Sequence, residues 1–138
     1  MLIIIKELKS PTPKQREEIA AIYLENGWWD EKNENPDLVS GIVSGSHCFV
    51  IAEFQGRIVG MGRAISDGAS DAYIQDMAVQ SGFKRKGVGT QILKKITSRI
   101  QSDGIGWIGL IAEKGSSRFY SGQGFEIFRD ASPMLLKK

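Results

Sequence analysis

Apolar positions along the chain keep changing their spacing, and each change marks an element. Residues 2–8, opening on the apolar run Leu2 to Ile5, predict a short first strand. Thr12-Pro13-Lys14-Gln15 then offers a hydroxyl cap, a proline at the first helical position and a glutamine three residues after the cap, so a helix starts there. Ile19, Ile22 and Tyr23 recur at helical spacing, and Asn26-Gly27 is a suitable stop. Asn35-Pro36 opens a shorter helix, to about residue 44, by the same logic of cap and proline. From 47 to 79 the pattern is that of strands: 48–54, the turn Gln55-Gly56, 58–65, a polar turn at Asp67-Gly68, and 73–79. This predicts a three-stranded antiparallel meander. Val88, Ile92, Leu93, Ile96 and Ile100 mark one face of a helix reaching about Ser102, and Asp103-Gly104 ends it. Beyond it, 107–112 reads as a strand, 116–121 as a short helix, and 124–128 with 133–136 as closing strands.

That order lacks the strict alternation of a doubly wound sheet and predicts a mixed α/β (α+β) layout around one sheet. A length of 138 residues suits a single domain over 1–138. The formal net charge of +2 is too small for general attraction to nucleic acid or to an anionic membrane, so neither is an expected partner and any basic site must be local. Cys48 is the only cysteine and lies in the apolar run Cys48-Phe49-Val50-Ile51, which excludes an internal disulfide and predicts a packed thiol in a reducing compartment. The apolar start meets Lys6 and Glu7 at once, too soon for a signal peptide or a membrane span, and the cytoplasm is the expected location. His47 is the only histidine, no metal-ligand spacing surrounds it, and no metal is expected.

The stretch FKRKGVGTQIL, residues 83–93, places three bases and two glycines at the start of a helix. A helix start exposes backbone N–H groups that lack intrahelical partners, and these favour a phosphate. Lys84, Arg85 and Lys86 add neutralising charge, while Gly87 and Gly89 keep side chains out of the way. The alternative is a solvated turn with exposed bases. Two rival phosphate motifs fail: no lysine follows the second glycine as a P-loop requires, and Ile92 stands where a dinucleotide fingerprint needs a small residue.

Together with its neighbours this stretch resembles the GNAT superfamily of acetyl-CoA dependent N-acetyltransferases, whose Q/R-x-x-G-x-G/A signature follows a strand and opens a helix. Here Val79 leads through Gln80 to Lys84-Arg85-Lys86-Gly87-Val88-Gly89, with Lys84 at the usual Gln/Arg position and Ser81 where proline is common. The strand YIQDMAV, 73–79, is similar to the family's fourth strand, and Arg118-Phe119-Tyr120 with Gly124-Phe125 resembles its downstream tyrosine segment, with Glu113 in place of the usual asparagine. The resemblance implies a mostly antiparallel central sheet flanked by helices, with a splayed fourth strand. It also implies acetyl-CoA as cosubstrate, met by Met77, Ala78 and Val79 along the strand and by Lys84, Arg85, Lys86, Gly87, Val88, Gly89, Thr90 and Glu113.

The implied reaction is direct attack of a primary amine on the thioester. Tyr120 matches the family's general acid, and Asp76 is the candidate base, directly or through water. Each has a bland reading beside it, a packed tyrosine and a structural hydrogen bond. Trp28 and Trp29 suit one wall for a cationic small-molecule or peptidyl amine, with Arg63 and Asp67 as further acceptor-side candidates; anchoring of the helix pair and a solvated turn are the alternatives. A catalytically silent acetyl-CoA-binding sensor or interaction module is the competing function, against which Tyr120 favours an enzyme. A homodimer is left open.

Overall fold

Thr12 begins the first helix as expected: its hydroxyl accepts the Gln15 N–H at 3.1 Å, and the Gln15 side chain accepts the Thr12 N–H at 2.9 Å. A computed structural model describes residues 1–32, 35–113 and 115–138 of the chain. Its elements are β1 (Ile4–Glu7), α1 (Pro13–Glu25), α2 (Pro36–Gly45), β2 (Cys48–Phe54), β3 (Arg57–Ser66), β4 (Asp71–Val79), a 3-10 turn (Ser81–Phe83), α3 (Val88–Ser102), β5 (Trp107–Leu110) and α4 (Ser117–Ser121). The strands form one sheet in sequence order, antiparallel except for the β4–β5 pair, which is parallel and takes α3 as its crossover.

The sheet is covered on both faces. On one side α1 and α2 bury Ile19, Ile22, Tyr23, Val39 and Val43 against Phe49, Ile51, Ile58 and Met61. On the other, α3 buries the five residues of its expected stripe, Val88, Ile92, Leu93, Ile96 and Ile100, against Val50, Val59, Ala64 and Ile74. At roughly 1.5–3 kcal/mol for each fully buried aliphatic side chain, that stripe contributes on the order of 10 kcal/mol to holding α3 in place. Coverage on both sides explains why β2 is apolar without alternation. Cys48 is buried there, and burial pushes its thiol up to about 11, with the Glu7 charge adding to the effect.

Gly62 sets how closely α3 approaches. A Cβ at that position would collide with the Met77 sulfur and meet Ile96 and Ile92 at 3.0 and 3.1 Å. At the far end of α3, Arg99 ties the helix to β1, donating to both carboxylate oxygens of Glu7 at 2.7 and 2.8 Å, and it also donates to Asp103, the residue that caps α3, at 2.7 Å. His47 stands 2.7 Å from the same Asp103 oxygen.

Two expectations need correction. The fifth strand stops at Leu110, short of 112. Residues 124–128 and 133–136 form no closing strands: an apolar strand pattern needs a partner edge, and among the described residues no hydrogen bond reaches past the Phe125 N–H, which donates to the Tyr120 carbonyl at 3.1 Å. The sheet is therefore open at β5. Among the described residues no helix is long and apolar enough to cross a membrane.

Candidate active site

The notch begins where β4 and β5 part. They pair only from Asp71 with Trp107 to Ile74 with Leu110, so Gln75 to Val79 have no sheet neighbour on that side. On the other side, β3 pairs Arg63 with Gln75 and Met61 with Ala78, leaving Gly62 alone opposite Asp76 and Met77. That is a β-bulge, and Asp76 takes it up with a left-handed φ of 58°.

The bulge turns Asp76 toward α1. Its Oδ2 accepts from the Tyr23 hydroxyl at 2.7 Å and from Arg63 Nε at 2.6 Å, and Arg63 Nη1 also donates to the Ser46 hydroxyl at 3.4 Å. Burial, then the Asp76 carboxylate, raise the Tyr23 phenol far above its ordinary range, so Tyr23 is a fixed donor. Gly27, at φ 73°, folds the chain back past the end of α1, where Trp28 and Trp29 both donate their N–H to the Tyr23 carbonyl, at 3.1 and 3.3 Å. Trp29 stacks on the Tyr23 ring with centroids 4.4 Å apart, and Trp28 meets it edge-on at 5.9 Å. From there the Trp28 indole N–H reaches Glu113 on the β5–α4 loop, at 3.1 and 3.4 Å from its two carboxylate oxygens.

Below the notch, Gln80 and the 3-10 turn lead into α3. Glu25 of α1 steadies this turn by accepting from both the N–H and the hydroxyl of Ser81, at 3.4 and 2.9 Å. Lys84, Arg85 and Lys86 are exposed on the approach. Gly87 caps α3 with a φ of 80° and no side-chain hydrogen bond, and the first helical bond is Gln91 N–H to the Gly87 carbonyl at 3.1 Å. The N–H groups of Val88, Gly89 and Thr90 thus face out of the helix start without helical partners. Phe119 of α4 packs across this end, its ring 3.5 Å from where a Gly89 Cβ would sit, with Val79 at 3.7 Å. Tyr120 follows, half-buried and edge-on to Phe119 and Phe125. Burial, and then the Glu113 charge, raise its phenol above the usual value.

A family model described as an acetyltransferase (GNAT) domain matches residues 15–132. The chain belongs to the GNAT acetyltransferase family. A soybean (Glycine max) histone acetyltransferase, TAP1, is 38% identical over 72 residues, which are 52% of this chain and 31% of the soybean protein. The chain thus spans about a third of the curated relatives it matches. Two solved structures share the fold along nearly the whole chain. A probable acetyltransferase from Staphylococcus aureus has a TM-score of 0.82 at 22% identity, covering 99% of this chain and 100% of its own. A GNAT family protein from Streptococcus pneumoniae has 0.81 at 23%, covering 99% and 98%.

Within this GNAT fold the expected residues fall into two groups. Met77, Ala78, Val79, the basic run, Gly87 to Thr90 and Tyr120 gather around the notch and the helix start. Asp76, Arg63, Trp28 and Trp29 gather on the α1 side of the bulge. Asp67 joins neither. It sits in the β3–β4 turn, where its carboxylate accepts the Ala69 and Ser70 N–H groups at 2.8 Å each and the Ser70 hydroxyl at 2.8 Å. Those bonds, the Ala69 N–H first, hold its carboxyl well below the usual range, as expected of a turn-capping aspartate. Glu113 is nearer the acceptor-side aromatics than its place in the signature implies. Tyr23 was legible only as a core position; its site role has one sequence clue, a phenol in the last turn of a helix just ahead of paired tryptophans. Ser46 carried no signal at all. Among the described residues no group of acidic, histidine and cysteine side chains is arranged to hold a metal.

Proposed function

We propose that this chain transfers the acetyl group of acetyl-CoA to a primary amine by direct attack. One observation carries the reading: the β4–β5 pairing stops at Ile74 and Leu110 just where a left-handed Gly87 opens α3, so an unpaired strand edge adjoins a set of free helix N–H donors. Acetyl-CoA fits these features. Its extended pantetheine arm suits a strand edge with unpaired backbone groups at Met77, Ala78 and Val79, and its pyrophosphate suits the donors of Val88, Gly89 and Thr90 with Lys84, Arg85 and Lys86 beside them. Acetyl-CoA supplies the acetyl group as an activated thioester.

The protein's own groups supply binding and proton transfer. Tyr120, with its phenol raised by burial and by Glu113, stays protonated at neutral pH and donates to the departing thiolate. Asp76 takes up the amine proton through water on Oδ1, the oxygen left free of Tyr23 and Arg63. Trp28 and Trp29 offer ring faces to a cationic acceptor, with Glu113 adding negative charge at the same wall.

The test is thiol release from acetyl-CoA against amines, amino acids, polyamines and lysine peptides, with calorimetric coenzyme A binding measured in parallel. Turnover with a primary amine, absent with its N-acetylated form, is expected. Tight coenzyme binding without turnover on any acceptor would hand the protein to the silent-module reading.

A further inference from the structure

Two carboxylates reach the acceptor side of the site, and they differ in what already neutralises them. Asp76 is paired with Arg63 at 2.6 Å and accepts from the Tyr23 hydroxyl at 2.7 Å, so its charge is largely answered inside the protein. Glu113 has no such answer. Its carboxylate accepts the Trp28 indole N–H, at 3.1 and 3.4 Å from its two oxygens, and among the described residues no cation pairs with it. One N–H occupies a fraction of the roughly four acceptor positions that a carboxylate offers.

That bond spans 85 positions of sequence, from the α1–α2 loop to the β5–α4 loop, and so holds a negative charge at one ring of the aromatic wall. The same charge is felt at Tyr120, where it adds to burial in raising the phenol. Glu113 therefore stands within electrostatic reach of both the acceptor wall and the acid that serves the leaving thiolate. The reacting nitrogen is not what this charge serves. To attack, that nitrogen must lose its positive charge: it forms the amide C–N bond as the thioester C–S bond breaks, its proton passes through water to Asp76, and the thiolate takes the Tyr120 proton. An unanswered carboxylate beside it would favour the ammonium form and oppose the attack. A second ammonium, with an ordinary pKa of about 10.4, stays charged throughout and keeps its attraction to Glu113. Its positive charge also lowers the pKa of the reacting amine, which eases deprotonation.

We propose that Glu113 selects the acceptor, which on the acetyl-transfer reading is a dicationic amine: a primary amine a few bonds from a second ammonium or guanidinium that does not react. The inference rests on that reading and names its substrate class. Glu113 holds the second cation beside the Trp28 ring, whose face adds a cation–π contact. The reacting amine lies toward Asp76, so the two carboxylates divide the work, one taking a proton and the other reading a charge. An acceptor that carries a carboxylate in place of the second cation is repelled, which makes the same residue a filter against free amino acids.

Three amines of matched chain length isolate the charge: putrescine ends in a second ammonium, butylamine in a methyl group and γ-aminobutyrate in a carboxylate. In the parent chain kcat/KM, read as thiol release from acetyl-CoA at low salt, should fall in that order by roughly two- to fivefold per step, after correction for putrescine's two equivalent ends. Glu113→Gln should bring the ratios toward unity and Glu113→Lys should reverse them. Loss of a merely structural Trp28 contact lowers all three amines together and reverses nothing. Calorimetric titration of the same amines into the coenzyme A-loaded protein reads the order without turnover. Lysine peptides with and without a neighbouring lysine separate the sources: a gain from the neighbour marks a peptidyl dication, a gain for putrescine alone a free diamine. Turnover of butylamine with no preference for putrescine, or an order that survives Glu113→Lys, overturns the proposal and leaves acetyl transfer standing. Binding in the expected order without turnover overturns acetyl transfer and keeps the Glu113 site, and neither turnover nor ordered binding overturns both.

Discussion

Adding one methyl group at Gly87 and one at Gly89 should move stability in opposite directions, although the two positions are two residues apart at the same helix start. At Gly87 a Cβ would meet no atom within 4 Å, so space is not the issue; the φ of 80° is. An L-residue there costs about 1–2 kcal/mol, and Gly87→Ala should lower stability by that amount, while Gly87→Asn, whose side chain tolerates the left-handed region, recovers most of it. Gly89 is helical, and its Cβ would make ordinary contacts of 3.5 to 3.7 Å with Phe119 and Val79. Replacing a helical glycine with alanine gains up to about 1 kcal/mol, so Gly89→Ala should be neutral to stabilising. The two variants should therefore differ by roughly 1–3 kcal/mol in urea unfolding followed by circular dichroism. Coenzyme A titration of the same samples supplies the functional half: Gly87→Ala should weaken binding and Gly87→Asn restore it. Equal midpoints for the two alanine variants would refute the left-handed cap. A destabilised Gly87→Ala that binds coenzyme A as tightly as the parent would refute the cradle while sparing the cap.

Tyr120→Phe removes a hydroxyl that has no hydrogen-bond partner among the described residues, so its melting temperature should stay near the parent's while kcat for acetyl transfer falls about 10²–10⁴-fold; an unchanged rate eliminates the acid role. Because the phenol is raised by burial and Glu113, the fall in parent activity from Tyr120 ionisation should lie above the ordinary phenol range near pH ~10, and a pH–rate profile would show it. Arg63→Ala leaves the half-buried Asp76 carboxylate with Tyr23 alone and should cost about 1–3 kcal/mol by urea titration, with no effect if the pair is merely a surface contact. Cys48, with its thiol pushed up to about 11, should resist alkylation at neutral pH in the folded chain and react on denaturation, as mass spectrometry would record. Asp103, held down by Arg99 and then His47, contributes stability that is present above the ordinary aspartate value and is lost as pH falls below about 4, so Asp103→Asn should flatten that part of an acid titration of melting temperature.

Local signals made the helices and most strands legible. The Thr12 capping box and the Val88-to-Ile100 stripe act within a few residues, and both occur where their patterns predict. The glycine turn was legible for the same reason, with its neighbours supplying the family resemblance. Long-range partners were not. Tyr23 and Asp76 are 53 residues apart, and only the assembled sheet shows that they share a hydrogen bond. Asp67 drew notice as an acid at a strand end, yet Asx-type bonds to its own turn account for it. The closing strands failed for a related reason: 124–136 has strand composition, but pairing depends on an edge that the local pattern does not specify.

The least legible feature is also what orders the site. Strict alternation along β4 would put Asp76 on the same face as Ala72 and Ile74, which pack in the α3-side core. A carboxylate there would be buried among aliphatic side chains without a partner, at a cost of several kcal/mol. The extra residue opposite Gly62 reverses the alternation, as any one-residue shift in a strand must. Ala78 consequently joins the core under α1 and α2, while Met77 and Val79 pack on the α3 side. Asp76 comes round to Arg63 and Tyr23. The sulfur of Met77 then occupies the space that only a glycine at position 62 leaves open, so the bulge and the close approach of α3 depend on one another. Because β4 leaves β5 at Ile74, immediately before this reversal, the widening of the notch and the turning of Asp76 toward the paired tryptophans follow from the same inserted residue.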